Sequence, residues 1–239
     1  MKSLMKMVRQ FGESLITLVV SIILFLFNAV KFIVSLPARF VSYIREFLAD
    51  TDSVLKESLI ALSICAVGDL CAGIILGNME FFLQTYPGLM VIIPGAIGMR
   101  GNIFGSFGSR LSTHLHIGTI SPEFKRSDLL DENITASIIL TMALSVLLGA
   151  IAKVICILFN FPSISLFDFV LISFIAGLIS TVIMLPITMF ISLKSFEGGW
   201  DPDNITTPFI AAVGDFFTLP AIILSVLIVN LIGFDPIVK

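Results

Sequence analysis

Three charged residues sit where charge is expensive: Asp69, Arg100 and Asp215 lie deep inside long apolar runs. At the centre of a membrane helix such a residue costs about 2.5 to 3.5 kcal/mol, so it usually lines a polar cavity or pairs with a neighbour. An ion pair between Arg100 and one acid would leave the other acid over. The acids also share a setting, because AVGD occurs at 66–69 and again at 212–215, each time ahead of an apolar run with small residues. Repeats around a midplane site are a recurring way to build a path across a membrane, and an acid present in both copies is where a cation would bind. Asn102, close to Arg100, offers a neutral oxygen that serves either a helix–helix hydrogen bond or a cation.

The segment PGLMVIIPGAIGMRGNIFGSFGSRLSTHLHIG, Pro87 to Gly118, holds too many glycines and prolines for a regular helix packed only against lipid. Two uses compete for them. Gly101 and Gly105 at GxxxG spacing would let two helices approach closely. Alternatively, irregular backbone from Pro94 to Asn102 would turn carbonyl oxygens toward a water-filled path, the setting in which such backbone is tolerated at membrane depth. His114 and His116 form an HLH without a third ligand nearby and read as loop residues rather than a metal site. Lys153 and Asp168 lie near the ends of their apolar runs, where snorkelling or exposure accounts for them. Asn133 and Asn204, each opening an NIT triplet, read as helix-start residues. Cys65, Cys71 and Cys156 are spaced for neither a disulfide framework nor a metal and read as small buried hydrophobes.

The elements that must position these residues follow from composition. Of 239 residues 57% are apolar and only 13% charged, with mean hydropathy +1.07. A soluble domain carries about 25% charged residues, so much of this surface must face lipid. Six apolar stretches, 14–36, 58–79, 85–107, 133–159, 166–193 and 207–232, are each long enough for the roughly 20 residues a membrane-crossing helix needs. Strands of a transmembrane barrel are shorter and alternate, which excludes that class. The expected fold is therefore an all-α polytopic transmembrane bundle: an N-terminal hydrophobic and amphipathic helical segment over 1–54, then a five-helix domain over 55–239. A net charge of −3 without basic runs argues against nucleic acid as a partner; membrane lipid is the expected surroundings.

Lys and Arg set the orientation. Arg39, Arg45 and Lys56 place 37–57 in the cytoplasm, Arg110, Lys125 and Arg126 place 108–132 there, and Lys194 places 194–206 there. The connections near 80–86 and 160–167 hold neither residue and are expected outside. The stretch 14–36 has basic residues on both sides, and it either spans or lies along the cytoplasmic face. Lys2, Lys6 and Arg9 ahead of an apolar run look like a signal peptide, but no convincing small-residue cleavage site follows, so the segment is expected to stay.

The Pro87–Gly118 segment, three further spans and DPDNITTPFIAAVGDFFTLP from Asp201 to Pro220 resemble the membrane domain of MgtE-type divalent cation transporters, closest to the animal solute-carrier branch and its archaeal relatives. The resemblance covers roughly 55 to 232. It implies five core helices per protomer, a homodimer with an axial pore, and Mg2+ as the transported ion, with no organic cofactor. By position Asp215 matches the family's pore acid, and Gly101 with Asn102 match its glycine-rich pore segment; Asp69 fits the carrier branch better than the bacterial channels. Residues 1–50 cannot hold the magnesium-sensing CBS region of bacterial members, so that gating is not expected. The ion's chemistry agrees, since Mg2+ keeps much of its water and needs few carboxylates. The rival classes are an intramembrane enzyme, aspartyl-type or lipid-modifying, and a structural membrane subunit.

Overall fold

The computed structural model describes residues 53–122 and 127–232, together with Ser42, Arg45 and Glu46. The expected helix at 14–36 and residues Arg39, Lys125 and Arg126 lie outside the described residues. A compact unit begins at Ser53. Its described part is helical throughout: α1 (Ser53–Gly77), α2 (Glu80–Thr85), α3 (Leu89–Ile117), α4 (Asp128–Leu158), α5 (Leu166–Glu197) and α6 (Pro202–Leu231). All but the short α2 are long and apolar enough to cross a membrane. Central α6 packs against α1, α3 and α5, and α4 lies against α3 and α5.

The helices are sorted by side-chain size rather than by polarity. The buried residues of α4 include Ser137, Thr141, Ser145, Gly149, Ala152 and Cys156, all small, at spacings of three and four. Its large residues, among them Ile139, Leu147, Ile151 and Ile157, are exposed. Lipid is as apolar as leucine, so membrane helices gain little by burying large side chains and much by bringing backbones together through small ones. Gly149 shows the consequence: a Cβ there would lie 2.6 Å from the Cα of Val170 on α5.

The glycine- and proline-rich segment departs from expectation. No irregular backbone occurs between Pro94 and Asn102; α3 is one continuous helix, bounded by Gly88 and Gly118 in the left-handed region, with φ of 90° and 76°. Pro94 removes a single backbone hydrogen bond near the helix start, and its ring faces outward. The close approaches fall at other glycines than the GxxxG pair. A Cβ would lie 2.5 Å from Leu148 of α4 at Gly95 and 2.7 Å from Thr206 of α6 at Gly108, whereas at Gly101 it would meet nothing within 4 Å.

Polar groups near the two ends of the bundle are tied across helices. At one end Arg110 Nε donates to Asn133 Oδ1 at 2.6 Å, and the Glu57 carboxylate accepts from the Asp201 backbone N–H at 3.2 Å and from Asn204 Nδ2 at 3.1 Å. Asn133 and Asn204 therefore bridge helices instead of starting them. The caps are Ser127, accepting from the Leu130 N–H, and Asp201, accepting from the Asp203 N–H. At the other end Lys153 Nζ donates to Ser163 Oγ at 2.9 Å and to the Ile164 carbonyl at 2.7 Å, and Asn230 Nδ2 meets the Tyr86 hydroxyl. Asp168 is buried and accepts from Ser165 Oγ at 2.6 Å, so neither it nor Lys153 snorkels freely as expected. Burial is tolerated because each charge has a partner. Cys65, Cys71 and Cys156 are buried free thiols, as read from sequence.

Candidate functional site

The two AVGD segments meet. α1 and α6 run parallel, and a Cβ on Gly68 would lie 3.3 Å from that of Ala212, so glycine of the first copy faces alanine of the second. The ties between these elements join Glu57 to residues 144 and 147 positions later, and the offset between the AVGD copies falls between those values. Repeat and packing register therefore coincide, which carries Asp69 and Asp215 to one depth. At 1.5 Å per residue they lie about 18 Å and about 16 Å along their helices from the Glu57–Asn204 tie, near the middle of a hydrocarbon core of roughly 30 Å.

Neither acid is neutralised by a described residue. Asp69 is exposed on the bundle surface and Asp215 half-buried, and no hydrogen bond or ion pair to either occurs among the described residues. Each lies within one turn of the Gly68–Ala212 contact on its own helix. An ion pair between Arg100 and either acid, the alternative to a shared path, does not occur among the described residues. Arg100 lies on the inward face of α3 at 1% exposure, its Nε has no partner, and Nη1 reaches only its own helix, at the Ala96 carbonyl 3.5 Å away. Its position on the helix explains this, because Arg100 shares its face with Ala96, Ile103, Phe104 and Phe107, which bury it toward the other helices.

Gly101 and Asn102 are brought to the depth of the acids, though not into contact with them. α3 runs antiparallel to α6, with Gly105 against Thr207 and Gly108 against Thr206, so continuing that register places Asp215 level with Gly98 and Met99, about one turn from Asn102. Asn102 is exposed, and the space above Gly101 is open. Pro94, Gly98, Asn102 and Ser106 form an outward strip of small or polar residues on α3, recurring every four positions. Beside the α1/α6 seam lies an apolar groove of about 140 Å³ with Cys65, Gly68, Phe209, Ala212 and Phe216 among its walls.

The described residues of a single chain contain no cluster of three or more His, Cys, Asp or Glu able to hold a metal. His116 Nε2 lies 4.0 Å from Asp201 Oδ1 and His114 Nδ1 is 2.9 Å from Thr119 Oγ1, so the two histidines diverge. The acid pair at the seam offers carboxylate oxygens, the ligand type that hard divalent cations take. Sequence reasoning found that pair through the repeat but overlooked Glu57, whose position one turn into α1 and opposite Asn204 sets the register. A polar residue near the start of each helix was the available signal.

Comparison with known proteins bears on the whole bundle. Residues 93–233 match the MgtE family, described as divalent cation transporter. Solute carrier family 41 member 3 of Rattus norvegicus is 25% identical over 194 residues, covering 73% of this chain and 40% of that protein. Solute carrier family 41 member 2 is 24% identical in Gallus gallus, over 74% of this chain and 32% of that protein, and 26% identical in Homo sapiens, over 68% and 29%. The chain thus spans well under half the length of these relatives. No solved structure matches it.

Proposed function

The chain belongs to the MgtE family of divalent cation transporters, and from that premise we propose that it moves divalent cations, Mg2+ foremost, across a membrane along a path lined by Asp215, Asp69, Gly101 and Asn102. The observation that carries this reading is the pair of unpartnered acids held at one mid-membrane depth by the packed AVGD segments. Two like charges near each other in a poorly solvated setting repel, and a divalent cation relieves the repulsion of both. Binding energy is thus available to the ion without any rearrangement of the end ties.

The ligand count agrees with a hydrated ion. Mg2+ demands octahedral oxygen coordination and dehydrates reluctantly, so two carboxylates, a side-chain amide and retained waters suit it better than a closed protein cage. A two-fold axis beside the seam would double both acids, which is the reason to propose that the working unit is a homodimer with an axial pore. The exposure of Asp69, Asn102 and the strip along α3 leaves those residues available to such a partner. The bundle end that holds Glu57, Arg110 and Lys194 is proposed to face the cytoplasm, on the distribution of basic residues. An aspartyl enzyme would need its two carboxyls within hydrogen-bonding reach, and no hydrogen bond joins Asp69 and Asp215.

Reconstitution of the full chain in liposomes containing a magnesium-sensitive dye tests the reading. Wild-type vesicles should show Mg2+ uptake above empty vesicles, and Asp215→Asn should lower it by at least about tenfold while the protein still elutes as one folded species. Wild-type flux in a folded Asp215→Asn protein would overturn the assignment of the path. No flux from the wild type would favour a structural subunit.

A further inference from the structure

Besides the acids at the α1/α6 seam, the bundle interior holds a second set of polar groups without partners. Among the described residues four buried side-chain atoms, Arg100 Nε, Ser145 Oγ, Ser180 Oγ and Thr218 Oγ1, have no hydrogen-bond partner. They come from α3, α4, α5 and α6 respectively, and the residues that carry them are fully buried, Arg100 at 1% exposure and the three hydroxyl residues at 0%.

Packing register places these four groups in one layer. α3 and α5 run parallel, with Gly88 against Phe169 and Gly108 against Thr188, and the same offset sets Arg100 level with Ser180. α5 and α6 are antiparallel, with Ser192 Oγ donating to Thr206 Oγ1 at 3.3 Å and Gly214 against Met184, which sets Ser180 opposite Thr218. Ser145 of α4 fills the space left by the missing side chain of Gly177, one turn before Ser180 on the same face of α5. The Arg100 guanidinium points back along its helix toward the Ala96 carbonyl, which brings it to the level of Gly177.

Chemically the set is rich in donors and holds one positive charge. The guanidinium only donates, the hydroxyls can turn their hydrogens inward, and no described carboxylate pairs with Arg100. Water would satisfy the hydroxyls but leave a buried unit charge uncompensated, a costly arrangement at membrane depth. We propose that this layer binds a small monovalent inorganic anion of the halide class, held by Arg100 with Ser145, Ser180 and Thr218. Ser145 occupies the place where a Cβ on Gly177 would sit, so the layer is closely packed and suits the smallest anions rather than a tetrahedral oxyanion. The residues of this layer are fully buried within the chain, whereas Asp69 and Asn102 of the proposed cation path are exposed.

The test uses purified full-length protein without divalent cations, so that its result does not depend on transport. Thermal unfolding is compared in sodium chloride, sodium bromide and sodium gluconate at equal ionic strength. Chloride and bromide should stabilise saturably, by about 4 °C at ten times the dissociation constant, and gluconate should not. Arg100→Gln should abolish the increment. Where that variant fails to fold, Ser180→Ala and Thr218→Val should each raise the half-saturating chloride concentration by about threefold or more. Equal melting temperatures in chloride and gluconate, or an unchanged chloride dependence in the variants, would overturn the site.

Discussion

The ends of the bundle and its middle treat polar side chains in opposite ways. Near the ends, where water or headgroups could have satisfied them cheaply, Arg110, Glu57, Lys153, Asp168 and Asn230 are all hydrogen-bonded within the protein. At mid-depth, where an unpartnered group is most expensive, Asp69 and Asp215 have no described partner and Arg100 Nε has none. Stability alone would produce the reverse distribution, because desolvation costs rise toward the bilayer centre. The difference identifies two jobs. End groups tie helices together in register, whereas the mid-depth groups are those assigned above, as proposals, to bound ions.

Mutations at the two levels should therefore fail in different assays. The largest effect is expected at the seam: on the proposal that both acids serve one ion, Asp69→Asn and Asp215→Asn should each reduce Mg2+-dependent thermal stabilisation, and the double variant should lose less than the sum of the single losses. Melting temperature without Mg2+ should hold or rise, since neutralising either acid removes like-charge repulsion. Strictly additive losses would separate the acids into independent sites. An intermediate effect is expected at Arg110→Gln, which removes a charge-assisted bond to Asn133 and should cost about 2 kcal/mol of stability, read from thermal unfolding, with flux per folded molecule retained. The smallest is Tyr86→Phe, which frees Asn230 at the far end and should cost about 1 kcal/mol with unchanged transport. Loss of flux in a folded Tyr86→Phe protein would remove the division of labour between ends and middle.

Much of the architecture was legible in the chain. Five of the apolar stretches correspond to α1, α3, α4, α5 and α6, because a span is dictated by local composition over about 20 residues. The AVGD repeat pointed to a shared level for Asp69 and Asp215, and the contact of Gly68 with Ala212 brings the two segments together. The small-residue stripe from Ser137 to Cys156 was not singled out from the sequence, and its role rests on the opposing backbone of Val170. Whether Arg100 pairs with an acid was left open by the sequence for a related reason. Its charge is written in the sequence, but the face of α3 it occupies depends on where α3 begins, and that start is set by the left-handed turn at Gly88 rather than by the apolar run.

Local chemistry thus decided what each segment is: a membrane helix from its hydropathy, a breaker from glycine or proline, an expensive charge from its surroundings in the chain. Tertiary structure decided what each residue meets. Pro94 and its neighbouring glycines could belong to an irregular path or to a helix, and the fit of Gly95 on Leu148 and Gly108 on Thr206 goes with the continuous helix. The same holds for the unpartnered groups. Whether a buried charge is paired depends on residues distant in sequence, whose relative depth is fixed when helices lock in register, and only the packed bundle contains that information.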